Sequence, residues 1–275
     1  MGNENVEEKN PIMNVQKLLI IIRIINVQTK KLENFSPSHP DVKDIKILVA
    51  GQIGGGKSSF INSVDSAFQG RISSRALVYS YGFTIRSGKK KLPFIFKDIM
   101  GLEPEALAGS QTEDIINAVY GHVKDGYKFN EGQALTYKDQ QFNFDPNLSD
   151  QSFCLVYVIP ADILQYTDDR LIDKLKITCQ RISEKGIPQV VVMTKVDEAC
   201  PLVKNDLKKM YTSKKIKEKM DLCSAKLGVP LTNIFPVKNY HNEINTDDDI
   251  DVLLLKALEQ IVQLADDRLE DTDMY

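Results

Sequence analysis

Tryptophan is absent from this 275-residue chain, histidine occurs three times, and the four cysteines form no C-x-x-C pair. Cys154, Cys179, Cys200 and Cys223 stand far apart, which argues against a zinc ribbon or a disulfide scaffold and predicts free thiols in a reducing, cytoplasmic setting. His39, His122 and His241 are isolated, so no histidine-based metal centre is expected. Charge of one sign is lacking too. The formal net charge is −3, so there is no global electrostatic case for nucleic acid or an anionic membrane. A basic and then apolar start is missing, "MGNENVEEKN" being polar and acidic, so no secretory leader is expected. Gly2 follows Met1, but Val6 stands where a myristoylation motif wants Ser or Thr. The apolar run "LLIIIRII" at residues 18–25 is too short for a bilayer and carries Arg23. It reads as a helix packed on the domain, with membrane contact as the lesser alternative.

What is present is organised as a segment followed by a domain. Residues 1–40 form an N-terminal segment with an amphipathic helix, closing in the Ser/Pro-rich linker "NFSPSHPD". From about residue 41 to 275, short apolar runs alternate with longer amphipathic ones, the pattern of parallel strands with crossover helices. Strands are expected at 45–50, 81–86, 94–97, 153–159, 190–193 and 234–237. The second and third flank a Ser-Gly turn and read as an antiparallel edge hairpin. Helices are expected at 57–68, 110–123, 169–185, 213–227 and from 249 to about 269, which gives an α/β fold with helices on both faces of the sheet. The lysine-rich stretch at 204–219 reads as a solvated helix face and its loop, and no nucleic-acid partner is expected.

One stretch demands bare backbone. "GQIGGGKSS" places Gly51, Gln52, Ile53, Gly54, Gly55, Gly56, Lys57, Ser58 and Ser59 between a buried strand and a helix, and satisfies G-x-x-x-x-G-K-S/T. Glycines there let backbone N–H groups turn toward phosphate oxygens, the helix start adds partial positive charge, and Lys57 reaches the β- and γ-phosphates. Ser58 is the expected Mg²⁺ ligand and Ser59 a neighbour of the α-phosphate. Further on, Asp98-Ile-Met-Gly101 closes a strand as D-x-x-G, with Asp98 on Mg²⁺ through water and the Gly101 N–H facing the γ-phosphate. Thr194-Lys195-Val196-Asp197 follows a nearly all-apolar strand, and a carboxylate there accepts from guanine's ring N–H and exocyclic amine. Adenine offers no such donor pair. Lys195 would lie along the base, and Lys238 and Asn239 in "FPVKNY" are candidates for a second base-contacting loop. The cofactors read from these motifs are GTP or GDP with Mg²⁺.

These residues, quoted as "GQIGGGKSSFINSVDSAFQG", "LPFIFKDIMGLE", "VMTKVD", "VKNY" and "LADDRLED", resemble the interferon-induced protein 44 family over roughly residues 44–271. The resemblance implies a P-loop GTPase (G-domain) fold, cytoplasmic residence and a place in interferon-driven antiviral immune response. Longer members carry a further domain ahead of this region, for which the chain is too short. Three departures from GTPase patterns bear on turnover. Only "QGRISSRALVYSYGF" joins the first helix to the second strand, leaving Ser73, Ser74, Ser80 and Thr84 as hydroxyl candidates for a γ-phosphate sensor, none placed by a motif. Leu102 follows Gly101, where Ras-type enzymes have a water-orienting Gln, and Glu103 comes next. Ile53 puts a branched side chain where an incoming arginine finger would pass. No catalytic residue is named, and slow intrinsic hydrolysis is expected.

Two readings follow. One is a GTP-binding switch with slow GTPase activity; the other is a nucleotide-stabilised interaction module without significant hydrolysis. A third, an ATP-dependent P-loop kinase, is opposed by Thr194 to Asp197. The expected partners are the guanine nucleotide, an unknown protein and, as an open alternative, a second copy across the nucleotide face. An insertion at about 102–150 reads either as a lid or partner surface or as a packed decoration.

Overall fold

Six apolar runs rich in Val, Ile and Phe pair into one sheet, and their alternation decides which helices cover which face. The computed structural model describes residues 11–76, 82–99, 110–124, 126, 127, 129 and 133–272, with 11–18 and 110–111 as backbone only. The chain begins with α1 (Pro11–Glu33), β1 (Ile45–Ala50), α2 (Lys57–Gln69), β2 (Phe83–Ser87) and β3 (Lys90–Asp98). Next come α3 (Ser110–Val119), β4 (Cys154–Pro160), α4 (Asp169–Ser183) and β5 (Gln189–Thr194). It ends with α5 (Val196–Ala199), α6 (Pro201–Asn205), α7 (Lys214–Leu227), β6 (Ile234–Pro236) and α8 (Asp248–Asp271). The strand order is β2-β3-β1-β4-β5-β6, with β2–β3 the one antiparallel pair and the rest parallel. The sequence expectation of a mostly parallel sheet with an antiparallel edge holds.

Residues alternate sides along the central strands. Ile47, Val49, Cys154, Val156 and Val158 face one way and pack with Phe60, Val64, Leu254 and Leu258 of α2 and α8. Leu48, Ala50, Leu155, Tyr157 and Ile159 face the other, against Ile115 and Val119 of α3, Leu175 of α4 and Cys223 of α7. Both faces are therefore buried, which is why β4 and β5 read as continuous apolar runs.

Helix ends depart from the periodic pattern where caps intervene. The expected helix at 110–123 stops at Val119, because Gly121 adopts φ 80 and a Cβ there would lie 2.8 Å from the Asp150 backbone. The helix expected at 169–185 ends at Ser183, and Ser213 stands outside α7 as its N-cap, accepting from the Ile216 N–H. β3 starts at Lys90, four residues before the expected 94, since its first residues are charged yet lie on the edge hairpin. α1 docks on α8 through buried Leu32 and a Lys31–Glu259 ion pair of 2.8 Å, leaving Ile20, Ile24 and Val27 exposed. Among the described residues no helix is long and apolar enough to cross a membrane.

The described part of the 102–150 region is anchored to α3 at buried Leu135, while Tyr137 and Phe144 stay exposed. The Asp114 carboxylate of α3 accepts from the Leu135 N–H at 2.7 Å, while the Asn117 amide donates to the Leu135 carbonyl at 3.0 Å. Burial pushes the Asp114 carboxyl up to about 6, with the neighbouring Glu113 and Asp139 adding to the rise. A carboxyl whose folded pKa exceeds its unfolded value near 3.8 favours the fold when protonated. Its contribution is full below 3.8 and is lost as pH rises through about 6. Asp114→Asn keeps the acceptor for Leu135 and removes the buried charge. It is expected to raise stability at pH 7 by roughly 1–2 kcal/mol and to change little at pH 4, read by urea denaturation at both values.

Candidate nucleotide site

Strand β1 ends at Ala50 and α2 begins at Lys57, so the six residues between must reverse direction at the carboxyl edge of the sheet. Gly51, Gly54 and Gly56 adopt φ of 148, 71 and 97, values that side chains resist. A Cβ on Gly51 would stand 2.4 Å from the Val158 carbonyl oxygen of β4, and one on Gly55 3.0 Å from the Gln52 carbonyl. Gly56 precedes the first turn of α2, whose early N–H groups lack helical partners. The loop is thus a backbone-lined cradle in which Gln52 is half-buried, while Ile53 and Ser59 are exposed.

Lys57 is buried, and its ammonium donates to the carbonyls of Gly51 and Gln52 at 3.1 and 3.2 Å. Burial holds its pKa below the ordinary lysine value, and the charge of Asp98 works the other way. Asp98 arrives at the end of β3 in register with Val49. Its Oδ2 accepts from the Ser58 hydroxyl at 3.0 Å, and its buried Oδ1 has no partner among the described residues. Burial raises the Asp98 pKa, while Lys57 and Ser58 pull it down. A hydroxyl and a carboxylate with an idle oxygen form an all-oxygen donor set that suits a hard divalent cation. Gly101, Leu102 and Glu103 lie outside the described residues.

On the far side of the cradle, Thr194 is fully buried, and its hydroxyl donates to the Gly55 carbonyl at 2.7 Å. Lys195 turns the chain with φ 55, and Asp197 follows on the first turn of α5, half-exposed and with no carboxylate partner among the described residues. The loop after β6 brings two more of the expected residues, but aimed differently from one another. Lys238 pairs with Glu243 at 2.7 Å. Asn239 turns to the cradle, its amide donating to the Gly56 carbonyl at 3.1 Å, with Oδ1 buried and unpartnered among the described residues. Asn239 therefore braces the phosphate loop in this structure.

The segment after α2 is tied down in a way no motif announces. Asp65, wholly buried in α2, accepts from the Ser73 hydroxyl at 2.6 Å and from Arg75 at 3.0 Å. The Ser73 N–H donates to Ser66 Oγ at 2.8 Å, and Asn62 holds both the N–H and carbonyl of Ala76 at 2.6 and 3.2 Å. The Ser73 hydroxyl is thus engaged away from the cradle. Thr84 lies within β2, Ser74 is exposed, and Ser80 lies outside the described residues.

No family model matches the chain. Human interferon-induced protein 44 is 33% identical over 267 residues, 93% of this chain and 60% of that protein. Over the region it spans, the chain is similar to proteins of the interferon-induced protein 44 family. Human interferon-induced protein 44-like is 32% identical over 251 residues, 87% of this chain and 56% of the relative. The chain therefore covers only about 60% of the family proteins it matches. Among solved structures, Toc33 from Arabidopsis thaliana in complex with Mg²⁺ and GMPPNP superposes with a TM-score of 0.51 at 16% identity, covering 90% of this chain and 92% of that one. A second structure of the chloroplast translocon components atToc33 and psToc159 gives 0.51 at 15% identity, covering 90% of this chain and 91% of that one. This likeness shows that the chain has the P-loop GTPase fold.

Proposed function

We propose that this chain binds GTP and GDP with Mg²⁺ and acts in the cytoplasm as an interferon-induced component of antiviral defence, turning GTP over slowly. The observation that carries the reading is the joining of three motif loops. Thr194 and Asn239 each donate to a cradle carbonyl, so the base-side loops and the phosphate loop form one hydrogen-bonded unit. Lys57 supplies a buried cation for the phosphates, and Asp197 an uncommitted carboxylate for the base. Ser58 and Asp98 would hold Mg²⁺, which when bound neutralises charge developing on the phosphate oxygens. The Toc33 neighbour, crystallised with Mg²⁺ and GMPPNP, supports the nucleotide assignment by analogy of fold. Four buried free thiols accord with a reducing compartment, and the relatives' names supply the interferon link.

Slow turnover is favoured by Leu102 standing where Ras-type enzymes have a water-orienting Gln, and by the tethering of 71–76 to α2. That tether also favours the second reading, an interaction module in which the nucleotide is chiefly structural. Ile53, 54% exposed beside the cradle, offers an apolar contact to a protein partner, a second copy included.

Titration with fluorescent GTP, GDP, ATP and XDP, with and without Mg²⁺, tests the assignment. The wild-type protein is expected to prefer guanine. Asp197→Asn is expected to lose guanine affinity by about 100-fold and to gain xanthine, whose C2 carbonyl accepts from the new amide. Equal binding of ATP and GTP would overturn the reading.

A further inference from the structure

β4 does not stop at the phosphate loop. Pro160 stands in register with Thr194, and the next N–H, of Ala161, donates to the Thr194 carbonyl at 2.8 Å. The pairing brings Asp162 alongside Lys195, with Oδ2 3.9 Å from the lysine Nζ. Its other oxygen, Oδ1, is buried and meets no donor among the described residues. Lys195 is the only described non-glycine residue with positive φ. An unusual backbone turn and a half-used carboxylate thus face each other at one point.

From this geometry we infer that Asp162 is a positioning residue of the base pocket, holding Lys195 where its stem can lie along the purine. The inference rests on the guanine-nucleotide reading above. A lysine carries a flexible four-carbon stem, and ordering it costs rotamer entropy that a fixed carboxylate offsets. A buried carboxylate oxygen without a donor costs free energy and persists where function needs it. Once a base covers the stem, water leaves the pair, the local dielectric falls and the Asp162–Lys195 attraction strengthens. Asp162 then acts on base affinity through Lys195, whereas phosphate affinity is set by residues 51–58 on the other side of Thr194.

A double-mutant cycle tests this with the full chain: wild type, Asp162→Asn, Lys195→Met and the double variant, each titrated with fluorescent GDP and challenged with inorganic pyrophosphate. Asp162→Asn is expected to weaken GDP five- to tenfold, to leave pyrophosphate competition unchanged and to hold or raise the thermal midpoint. In the Lys195→Met background it should weaken GDP no further. Asp162→Ala, run beside it, should follow the same pattern. Multiplying effects in the double variant, no effect of Asp162→Asn on GDP, or equal losses for GDP and pyrophosphate would overturn the inference. A wild-type protein with no guanine preference would overturn the base-pocket reading itself, and that outcome is seen before any variant is made.

Discussion

Replacing Lys57 with alanine is expected to lower GTP and GDP affinity by at least about 100-fold. The ammonium is buried and held over the cradle by the Gly51 and Gln52 carbonyls, so its reach to a phosphate is prepared before the ligand arrives. Two charge-assisted hydrogen bonds to phosphate oxygens contribute roughly 1.5–3 kcal/mol each, which spans about 10²–10⁴ in affinity. Without a phosphate, burial disfavours the charged lysine. Anionic ligand oxygens reverse that balance and favour the ammonium. Lys57→Arg should not rescue, because a planar fork cannot occupy the space of a point charge between two carbonyls. The check is a fluorescence titration paired with a thermal scan. Saturating GDP should raise the wild-type midpoint and leave that of Lys57→Ala unmoved, while the apo midpoints stay close. Binding within threefold of wild type would show that the cradle does not hold the phosphates.

Much of this site was legible in the sequence because its chemistry is local. The phosphate loop needs particular residue types at adjacent positions, and Gly51, Gly56 and Lys57 could be named before any fold was known. The central strands were legible for a related reason: buried parallel strands are short unbroken apolar runs, and β4 and β5 are buried at every residue, while the edge hairpin of β2 and β3 was legible from its Ser-Gly turn. The short helices α5 and α6, of four and five residues, were not, since neither is long enough to show a period. Features built from residues distant in sequence also stayed hidden. Asp162 is a lone aspartate two residues past a strand, and it gains meaning only from the register of Pro160 with Thr194. Asp65 reads as one polar residue in a helix until the chain folds back and Ser73 and Arg75 close on it. The position of Asn239 after β6 makes it a candidate for a base-contacting loop, but nothing in "VKNY" reveals that its amide turns to Gly56.

The glycines of the loop are unequal, and that inequality gives a large expected difference in stability. Gly51→Ala is expected to cost roughly 3–5 kcal/mol, a substantial part of an ordinary domain's 5–15 kcal/mol. The new Cβ would meet the Val158 oxygen at 2.4 Å, far inside contact distance. Val158 is fully buried in the middle of β4, between β1 and β5, and its backbone cannot retreat without disturbing a parallel ladder. Overpacking contributes about 1–3 kcal/mol and the φ of 148 a similar amount. Gly54→Ala provides the contrast. Its φ of 71 is also left-handed, but a Cβ there has nothing within 4 Å, so only the backbone term of about 1 kcal/mol remains. Urea midpoints and soluble yields of the two variants measure the difference directly. Equal stability would mean that the loop does not lie against β4 at Gly51, and the cradle geometry that supports nucleotide binding would fall with it.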